Sequence, residues 1–431
     1  MYTSFIGKKF LRLYNEREKK QYTAHQFFDE VLFILFFKSD KDLMFVHNSK
    51  FSNASLSSKS SDEKLALFHK AVKEDEANSS TMVGYAAKGF KEVTSGQLTN
   101  LPNSIDSEDV YASWIGEALA VGIEGGLYLL FEREDLLWDI FQGWAMYRKF
   151  LQQTPSVKGR QIEYWNGHWL KYQLGERDEN FDPPRPEKGV SGNELVLKGV
   201  SWVQLIFKLS QRYPSVSLTT YSYALGQMNT TIGFINLQLP EITRFWEWQD
   251  LLFAKNDTLG RKQIEKLYEP LLTFRAACRS SGVIGLKAIE PSKLRDYFPQ
   301  LNGKNKDYKL STDESFFYFN LYKLWIIAML NKKELLVLAS KTADSLLAIE
   351  GKETRTAKLS SLSENIRNAK NTREFIDKLR EVLDKDDTNA ETLREVMQEV
   401  LTMPNDNFPL FVTLIRFEHT YKKIIAQKAV S

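Results

Sequence analysis

The chain has 431 residues, of which 43% are hydrophobic and 26% are charged, a composition that excludes a chain disordered throughout its length. Its single cysteine, Cys278, excludes a disulfide framework and a zinc site of the usual cysteine type. The net charge of +3 is well below that of a domain that binds nucleic acid through charge alone.

The N-terminal segment, residues 1–20, is locally basic. Six lysines and arginines occur there with only two glutamates, and the cations nearest the start are Lys8, Lys9 and Arg12. A solvated terminal segment explains this pattern. An edge that contacts phosphates explains it too, because clustered cations gain affinity by releasing counterions. Both interpretations stay open on sequence grounds.

No segment is typical of a membrane span or a secretion signal. The apolar stretch at residues 27–37 is interrupted by Asp29 and Glu30 and is far shorter than the roughly 20 residues that cross a bilayer. The start of the sequence has no apolar signal core followed by a small-residue cleavage site. We therefore expect a cytoplasmic protein with no membrane partner.

Helical periodicity dominates the first part of the chain. The predicted helices cover residues 27–37, 61–76, 105–123 and 133–153. Ser60 and Glu63 form an S-x-x-E capping box, which marks the start of the second helix. Gly122, Gly125 and Gly126 are expected to mark a turn before the fourth helix.

Strand patterns appear in the middle of the chain. Residues 161–174 are predicted to form a β-hairpin around Asn166-Gly167, a dipeptide typical of tight turns. An exposed loop with several prolines is predicted at 176–193. Further strands are predicted at 194–198 and 215–239, and helices at 201–212, 243–253 and 258–280.

Beyond about Ser311 the pattern becomes helical, and Gly351 is the only glycine up to Gln427. Helices are predicted at 313–349, 354–370, 371–385, 388–402 and 408–427. We therefore predict an α+β fold, with a mixed domain of small antiparallel sheets and helices over residues 1–300 and an all-α helical bundle over residues 301–431.

The sequence carries no recognisable catalytic or cofactor motif. Its five histidines show no spacing typical of helix-borne metal ligands, and no P-loop, dinucleotide-binding or nucleophile-elbow pattern occurs. Paired carboxylates on the predicted helices have an ordinary solubilising role. We therefore expect a protein that is not an enzyme and that needs no metal or cofactor.

Three polar segments are suited to hydrogen bonding. They lie at residues 47–51, 94–100 and 226–231 and combine uncharged polar side chains with glycine or lysine. Such side chains can reach base edges, and glycine permits a close approach of the backbone, although capped turns are the simpler explanation. The candidate residues are Asn48, Lys50, Thr94, Ser95, Gly96, Gln97, Asn100, Gln227, Asn229 and Thr230.

Three stretches together resemble the large subunit of type I CRISPR surveillance complexes (Cascade), nearest the type I-B branch. They are the start at residues 2–7, the Asn-Ser pair within 46–51 and the Thr-Ser-Gly-Gln core of 94–100. The resemblance covers roughly residues 1–240, and the predicted C-terminal bundle agrees in architecture. One departure is that several relatives have a cysteine-based zinc site, which a chain with one cysteine cannot form.

The resemblance implies a non-catalytic subunit that recognises the protospacer-adjacent motif on duplex DNA and assists R-loop formation in antiviral defence. Its partners would be the 5′ handle of the guide RNA, the target double-stranded DNA, the other Cascade subunits and a helicase-nuclease recruited after R-loop formation. The polar candidates would read the motif. Guide or backbone contacts would come from Lys8, Lys9, Arg12, Lys304 and Lys306.

Two other functions stay open on sequence grounds. One is a structural subunit that bridges proteins without reading bases, and the other is a metal-dependent nucleic-acid enzyme built from dispersed carboxylates. The resemblance also suggests that a small subunit is translated from within the same gene. Met329 is the only methionine between Met228 and Met397, and a start there would give a C-terminal fragment of roughly 100 residues.

Overall fold

The computed structural model describes residues 1–85, 105–175, 186–225, 230–253, 259–300, 306–352, 359–384 and 389–430. Its fold is α+β, as predicted, with two small sheets and a helical C-terminal region. The chain divides into two compact units, Met1–Pro240 with Thr273–Ile284, and Glu241–Leu272 with Gly285–Ser431. The mixed domain predicted from the sequence instead included all residues up to 300, because prolines and glycines in the sequence separate residues 241–272 from the C-terminal helices.

The N-terminal unit begins with helices. They are α1 (Tyr2–Glu18), α2 (Ala24–Phe27), a π-helical turn (Phe28–Phe33), α3 (Ile34–Phe36), α4 (Ser61–Glu74) and α5 (Ser107–Ala118). The predicted buried helix over 27–37 is confirmed. The capping box is confirmed as well, because Ser60 Oγ accepts the backbone N–H of Glu63 at 3.2 Å and the Glu63 carboxylate accepts the N–H of Ser60 at 2.7 Å.

Helices α1 and α5 cross in direct backbone contact. A Cβ added at Gly7 would lie 1.8 Å from the carbonyl oxygen of Ala112, and one added at Gly116 would lie 2.0 Å from that of Thr3. Only glycine permits so close an approach. The contact fixes the start of α1 against α5.

Seven strands form two sheets. They are β1 (Val121–Ile123), β2 (Leu127–Phe131), β3 (Lys188–Ser191), β4 (Glu194–Leu197), β5 (Ser217–Ala224), β6 (Thr230–Gln238) and β7 (Val283–Ile284), counted over the described residues. The larger sheet has the order β1-β2-β5-β6-β7, antiparallel except between β6 and β7, and β3 pairs with β4. The strands predicted at 194–198 and 215–239 are confirmed. Gly125 and Gly126, both with positive φ, form the predicted turn.

The predicted hairpin at 161–174 is wrong. Helices α6 (Glu134–Gln153), α7 (Ile162–Leu174) and α8 (Trp202–Arg212) follow the first hairpin of the sheet. In α7, Asn166 is fully buried, and its Nδ2 donates to the carbonyl oxygens of Ala118 and Ala120 at 2.9 and 2.8 Å. A Cβ added at Gly167 would lie 2.5 Å from the Gly122 carbonyl oxygen. The dipeptide therefore serves helix packing and not a turn.

Two predicted helices are shorter than expected. The helix predicted to run to residue 123 ends with α5 at Ala118, and the chain then enters β1. The long helix predicted at 258–280 is wrong, because the chain forms α10 (Arg261–Leu267) and α11 (Phe274–Ser281), which follow α9 (Leu239–Phe253). Pro270 lies between α10 and α11 and cannot continue a helix.

The C-terminal helices are α12 (Asp313–Leu330), α13 (Lys333–Gly351), α14 (Leu359–Arg367), α15 (Thr372–Leu383), α16 (Ala390–Thr402) and α17 (Phe408–Val430). The single helix predicted over 313–349 is wrong, because Asn331 adopts a left-handed conformation with φ +51 and ends α12. In the part of the chain that the structure describes, no helix is long and apolar enough to cross a lipid bilayer.

Candidate nucleic-acid interface

Four aromatic side chains form an exposed cluster in the N-terminal unit, which we call the aromatic surface: Tyr2 and Phe5 on α1, Tyr221 on β5 and Phe234 on β6. The ring centroid of Tyr2 lies 5.7 Å from Phe5 and 5.0 Å from both Tyr221 and Phe234. Phe234 is 61% exposed and Phe5 is 45% exposed. The cluster offers solvent the kind of aromatic faces on which nucleic-acid bases stack.

Local sequence spacing explains half of this cluster. Tyr2 and Phe5 stand three residues apart on α1 and therefore share a helix face. Tyr221 and Phe234 are direct cross-strand partners in the β5–β6 pair, so their side chains leave the same face of the sheet. Burial, with the nearby charge of Glu132, raises the pKa of Tyr2 to about 12.

Two side chains at the start of α1 form hydrogen bonds with backbone groups on both sides of residues 86–104. Thr3 Oγ1 donates to the carbonyl oxygen of Val83 at 2.8 Å, and Ser4 Oγ donates to that of Asp109 at 2.7 Å. The predicted motif-reading residues Thr94, Ser95, Gly96, Gln97 and Asn100 belong to 86–104 and lie outside the described residues. The chain therefore approaches and leaves this segment beside the first turn of α1.

A cavity of about 140 Å³ adjoins the aromatic surface. It is lined by Met1, Tyr2, Thr3, Gly84, Tyr221, Tyr223, Ala224, Leu225 and Thr231. Leu225 and the exposed Thr230 flank residues 226–229, so the candidates Gln227 and Asn229 lie outside the described residues. The lining thus includes Gly84, which precedes the segment 86–104, and Leu225, which directly precedes 226–229, a proximity that the sequence does not show.

The predicted cations of α1 differ in how far their charge is compensated. Lys8 Nζ lies 2.8 Å from Asp109 Oδ1, and Lys9 Nζ lies 3.1 Å from Glu132 Oε1. Arg12 is exposed and forms no ion pair with any residue that the structure describes. Of these three predicted cations, Arg12 is therefore the one best placed to meet a phosphate.

The other predicted contacts are dispersed. Asn48 is exposed in a left-handed turn with φ +60, and Lys50 is half-buried, but neither lines the cavity. In the C-terminal unit, Lys306 Nζ lies 3.2 Å from Asp296 Oδ2 and 5.2 Å from the ring centre of Tyr297. Lys304 lies outside the described residues.

Two buried carboxyl groups connect to the cavity wall. Tyr223 donates its hydroxyl to Glu117 Oε2 at 2.6 Å. Burial raises the pKa of Glu117 to about 7, although the hydrogen bond from Tyr223 lowers it. Burial raises the pKa of Glu163 as well, and the nearby charge of Glu117 adds to this increase. Both carboxyl groups are buried, so they are not placed to act on an external substrate. In the sequence, Glu117 stands alone as a charged residue in the apolar run 114–123. This isolated charge is a signal of a buried carboxyl group that the sequence prediction did not use.

One group of the described residues has the donor set of a metal site: His25, Asp29 and His69. His25 lies on α2, Asp29 lies in the π-helical turn, and His69 lies on α4. Sequence analysis did not find this group, because the packing of separate helices brings together two histidines that are far apart in the chain.

Comparison of the chain with protein-family models, with curated proteins and with solved structures finds no match. The resemblance to Cascade large subunits therefore stays an interpretation of three short stretches.

Proposed function

We propose that this chain is the non-catalytic large subunit of an RNA-guided CRISPR surveillance complex in the cytoplasm. It recognises the protospacer-adjacent motif on duplex DNA and assists R-loop formation in antiviral defence. The observation that carries the proposal is a cavity beside the aromatic surface whose lining includes Gly84, before the segment 86–104, and Leu225 and Thr231, on both sides of 226–229. A reader of short duplex motifs needs polar readers and a base-stacking element close together.

The polar loops supply the readers. Gln97 and Asn100 on one loop and Asn229 on the other carry amides, which donate to and accept from base edges. Gly96 permits a close backbone approach to a groove. The bonds from Thr3 and Ser4 hold Val83 and Asp109, on the two sides of residues 86–104, against α1.

The aromatic surface supplies the element that favours strand separation. Unstacking a base step costs a few kcal/mol, and each base that stacks on an aromatic side chain returns about 1–3 kcal/mol. Phe234 and Phe5 are the most exposed rings of the cluster and would receive a displaced base. Further unwinding is driven by pairing with the guide RNA.

The charge distribution favours a subunit over a protein that binds DNA alone. Lys8 and Lys9 are already paired with acidic residues, which leaves Arg12 for the guide handle or a neighbouring subunit. A net charge of +3 gives weak nonspecific attraction to DNA. Neighbouring Cascade subunits would supply the remaining phosphate contacts, and a separate helicase-nuclease would cut the DNA.

The direct experiment is to purify the tagged full-length chain from its native cells and to sequence the RNA bound to it. We expect guide RNAs of varied internal sequence that share one repeat-derived 5′ end, together with several protein partners. Absence of RNA, or RNA with no shared 5′ end, would overturn the proposal.

A second measurement separates motif reading from protein bridging. The purified complex is offered a duplex library in which the bases beside the target are randomised. Motif preference that is unchanged in both Gln97→Ala and Phe234→Ala complexes would favour a bridging subunit that reads no bases.

A further inference from the structure

The carboxylate of Asp29 lies between two imidazole rings. His25 Nε2 is 3.2 Å from Asp29 Oδ2, and His69 Nε2 is 3.1 Å from Asp29 Oδ1. One donor atom from each of the three residues lies within 4.8 Å of the other two. We propose that these three residues bind one divalent transition-metal ion, with Zn²⁺ the best match to the donor set.

The distances fit a zinc ion. Zinc binds imidazole nitrogen and carboxylate oxygen at about 2.0–2.2 Å, so neighbouring ligand atoms of a tetrahedral site lie about 3.3 Å apart. Both contacts of Asp29 already have this length. These two contacts end on different oxygens of Asp29, so the carboxylate and the His25 ring both have to shift to bring one donor atom of each residue around a single ion, and the half-exposed side chain of His25 has the freedom to move.

The contact between Asp29 Oδ1 and His69 Nε2 lacks the geometry of a well-aligned hydrogen bond. Among the described residues, the buried Oδ1 of Asp29 has no hydrogen-bond partner, although His69 Nε2 lies 3.1 Å away. The two atoms are therefore close without the alignment of an N–H donor and its acceptor. Two ligand atoms that bind the same metal ion also lie close together without such an alignment.

Tyr111 on α5 orients both rings. Its hydroxyl lies 2.7 Å from His69 Nδ1, which leaves His69 Nε2 for the metal. The ring of Tyr111 stacks on His25 with centroids 4.5 Å apart and an interplanar angle of 11°. Metal-binding histidines generally hold their second nitrogen in such a bond, which fixes the ring and the tautomer.

The location predicts what the ion would do. His25 and Asp29 belong to the segment formed by α2 and the π-helical turn, whereas His69 belongs to α4, so the ion would tie two helices together. Turns of π-helix occur frequently at functional sites. All three ligands are partly exposed, so a fourth coordination position would stay open for water or another ligand.

Zinc titration of the full-length chain, after dialysis against a chelator, tests the proposal. We expect one bound zinc ion per chain by calorimetry and elemental analysis, and its loss in Asp29→Asn and in His69→Gln. His47→Gln is the matched control, because His47 is an exposed histidine outside the cluster and should leave binding unchanged. Circular dichroism verifies that each variant is folded. Failure of the wild-type chain to bind zinc, or equal binding by Asp29→Asn, would overturn the proposal.

A second variant tests the site without removing a ligand. Tyr111→Phe keeps the ring and deletes the hydroxyl, and we expect zinc affinity to fall roughly 10- to 100-fold with one ion still bound at saturation. Cobalt substituted for zinc should show the visible absorption of a tetrahedral ion in the wild type and not in Asp29→Asn. Unchanged zinc affinity in Tyr111→Phe would refute the positioning role of Tyr111. Absence of the cobalt spectrum from the wild type would refute the tetrahedral site.

Discussion

Replacement of Phe234 by alanine is the sharpest test of the aromatic surface. The ring is 61% exposed and contacts Tyr2 and Tyr221 at centroid distances of 5.0 and 5.2 Å. Loss of these exposed contacts should cost less than about 1 kcal/mol of folding stability. Loss of one base-stacking face should cost about 1–3 kcal/mol of binding, which is a roughly 5- to 150-fold rise in Kd.

Fluorescence anisotropy of the purified complex with labelled target duplex measures this change. Tyr421→Ala in the C-terminal unit is the matched control, because it removes another partly exposed aromatic ring. We expect the thermal midpoints of both variants to stay near that of the wild type and only Phe234→Ala to weaken binding. Equal affinity of Phe234→Ala and the wild type, or equal losses in both variants, would refute the stacking role.

Three further changes address the loops, the helix contact and the C-terminal unit. Gln97→Ala and Asn100→Ala should weaken target binding while the complex still assembles, as native mass spectrometry would show. Gly116→Ala should destabilise the chain by roughly 1–3 kcal/mol in thermal melts because its Cβ would overlap the Thr3 carbonyl, whereas Gly351→Ala, which has open space, should not. Burial alone would raise the pKa of Glu350, but hydrogen bonds from His419 and Ser363 hold this pKa at about 2. The ionised carboxylate therefore contributes its full folding stability above the pKa that Glu350 has in the unfolded chain, and this contribution is lost as the pH falls toward 2. The difference in thermal midpoint between wild type and Glu350→Gln should therefore be larger at about pH 7 than at about pH 3, and an equal difference would contradict this assignment.

Local signals in the sequence were sufficient for much of the helical structure. The capping box at Ser60 and the apolar face of α6 each predicted a helix, because capping and amphipathic burial act within a few turns. The failure at α7 has a tertiary cause. Asn166 is held by two carbonyl oxygens that come from the end of α5 and the residues before β1.

The candidate interface depends on contacts that no local pattern contains. The spacing of Tyr2 and Phe5 indicates a shared helix face, but their meeting with Tyr221 and Phe234 requires the register of β5 and β6. In the same sheet the hydroxyl of Thr220 on β5 donates to the carbonyl oxygen of Leu130 on β2, and these residues are 90 positions apart in the chain. The sequence therefore offers polar segments as candidates, but it does not predict that Gly84 and Leu225 line one cavity beside the aromatic surface.

The energies of motif reading favour a polar segment whose flanking residues are held in place before DNA binds. A good contact between an amide and a base edge discriminates by only about 1–3 kcal/mol, and ordering one backbone residue costs about 1–2 kcal/mol. A loop that paid the full ordering cost on binding would lose most of its specificity. The bonds from Thr3 and Ser4, together with the Gly116 contact, meet part of that cost when the protein folds. Disruption of these anchors should therefore weaken target binding even though none of the three residues is among the proposed motif readers.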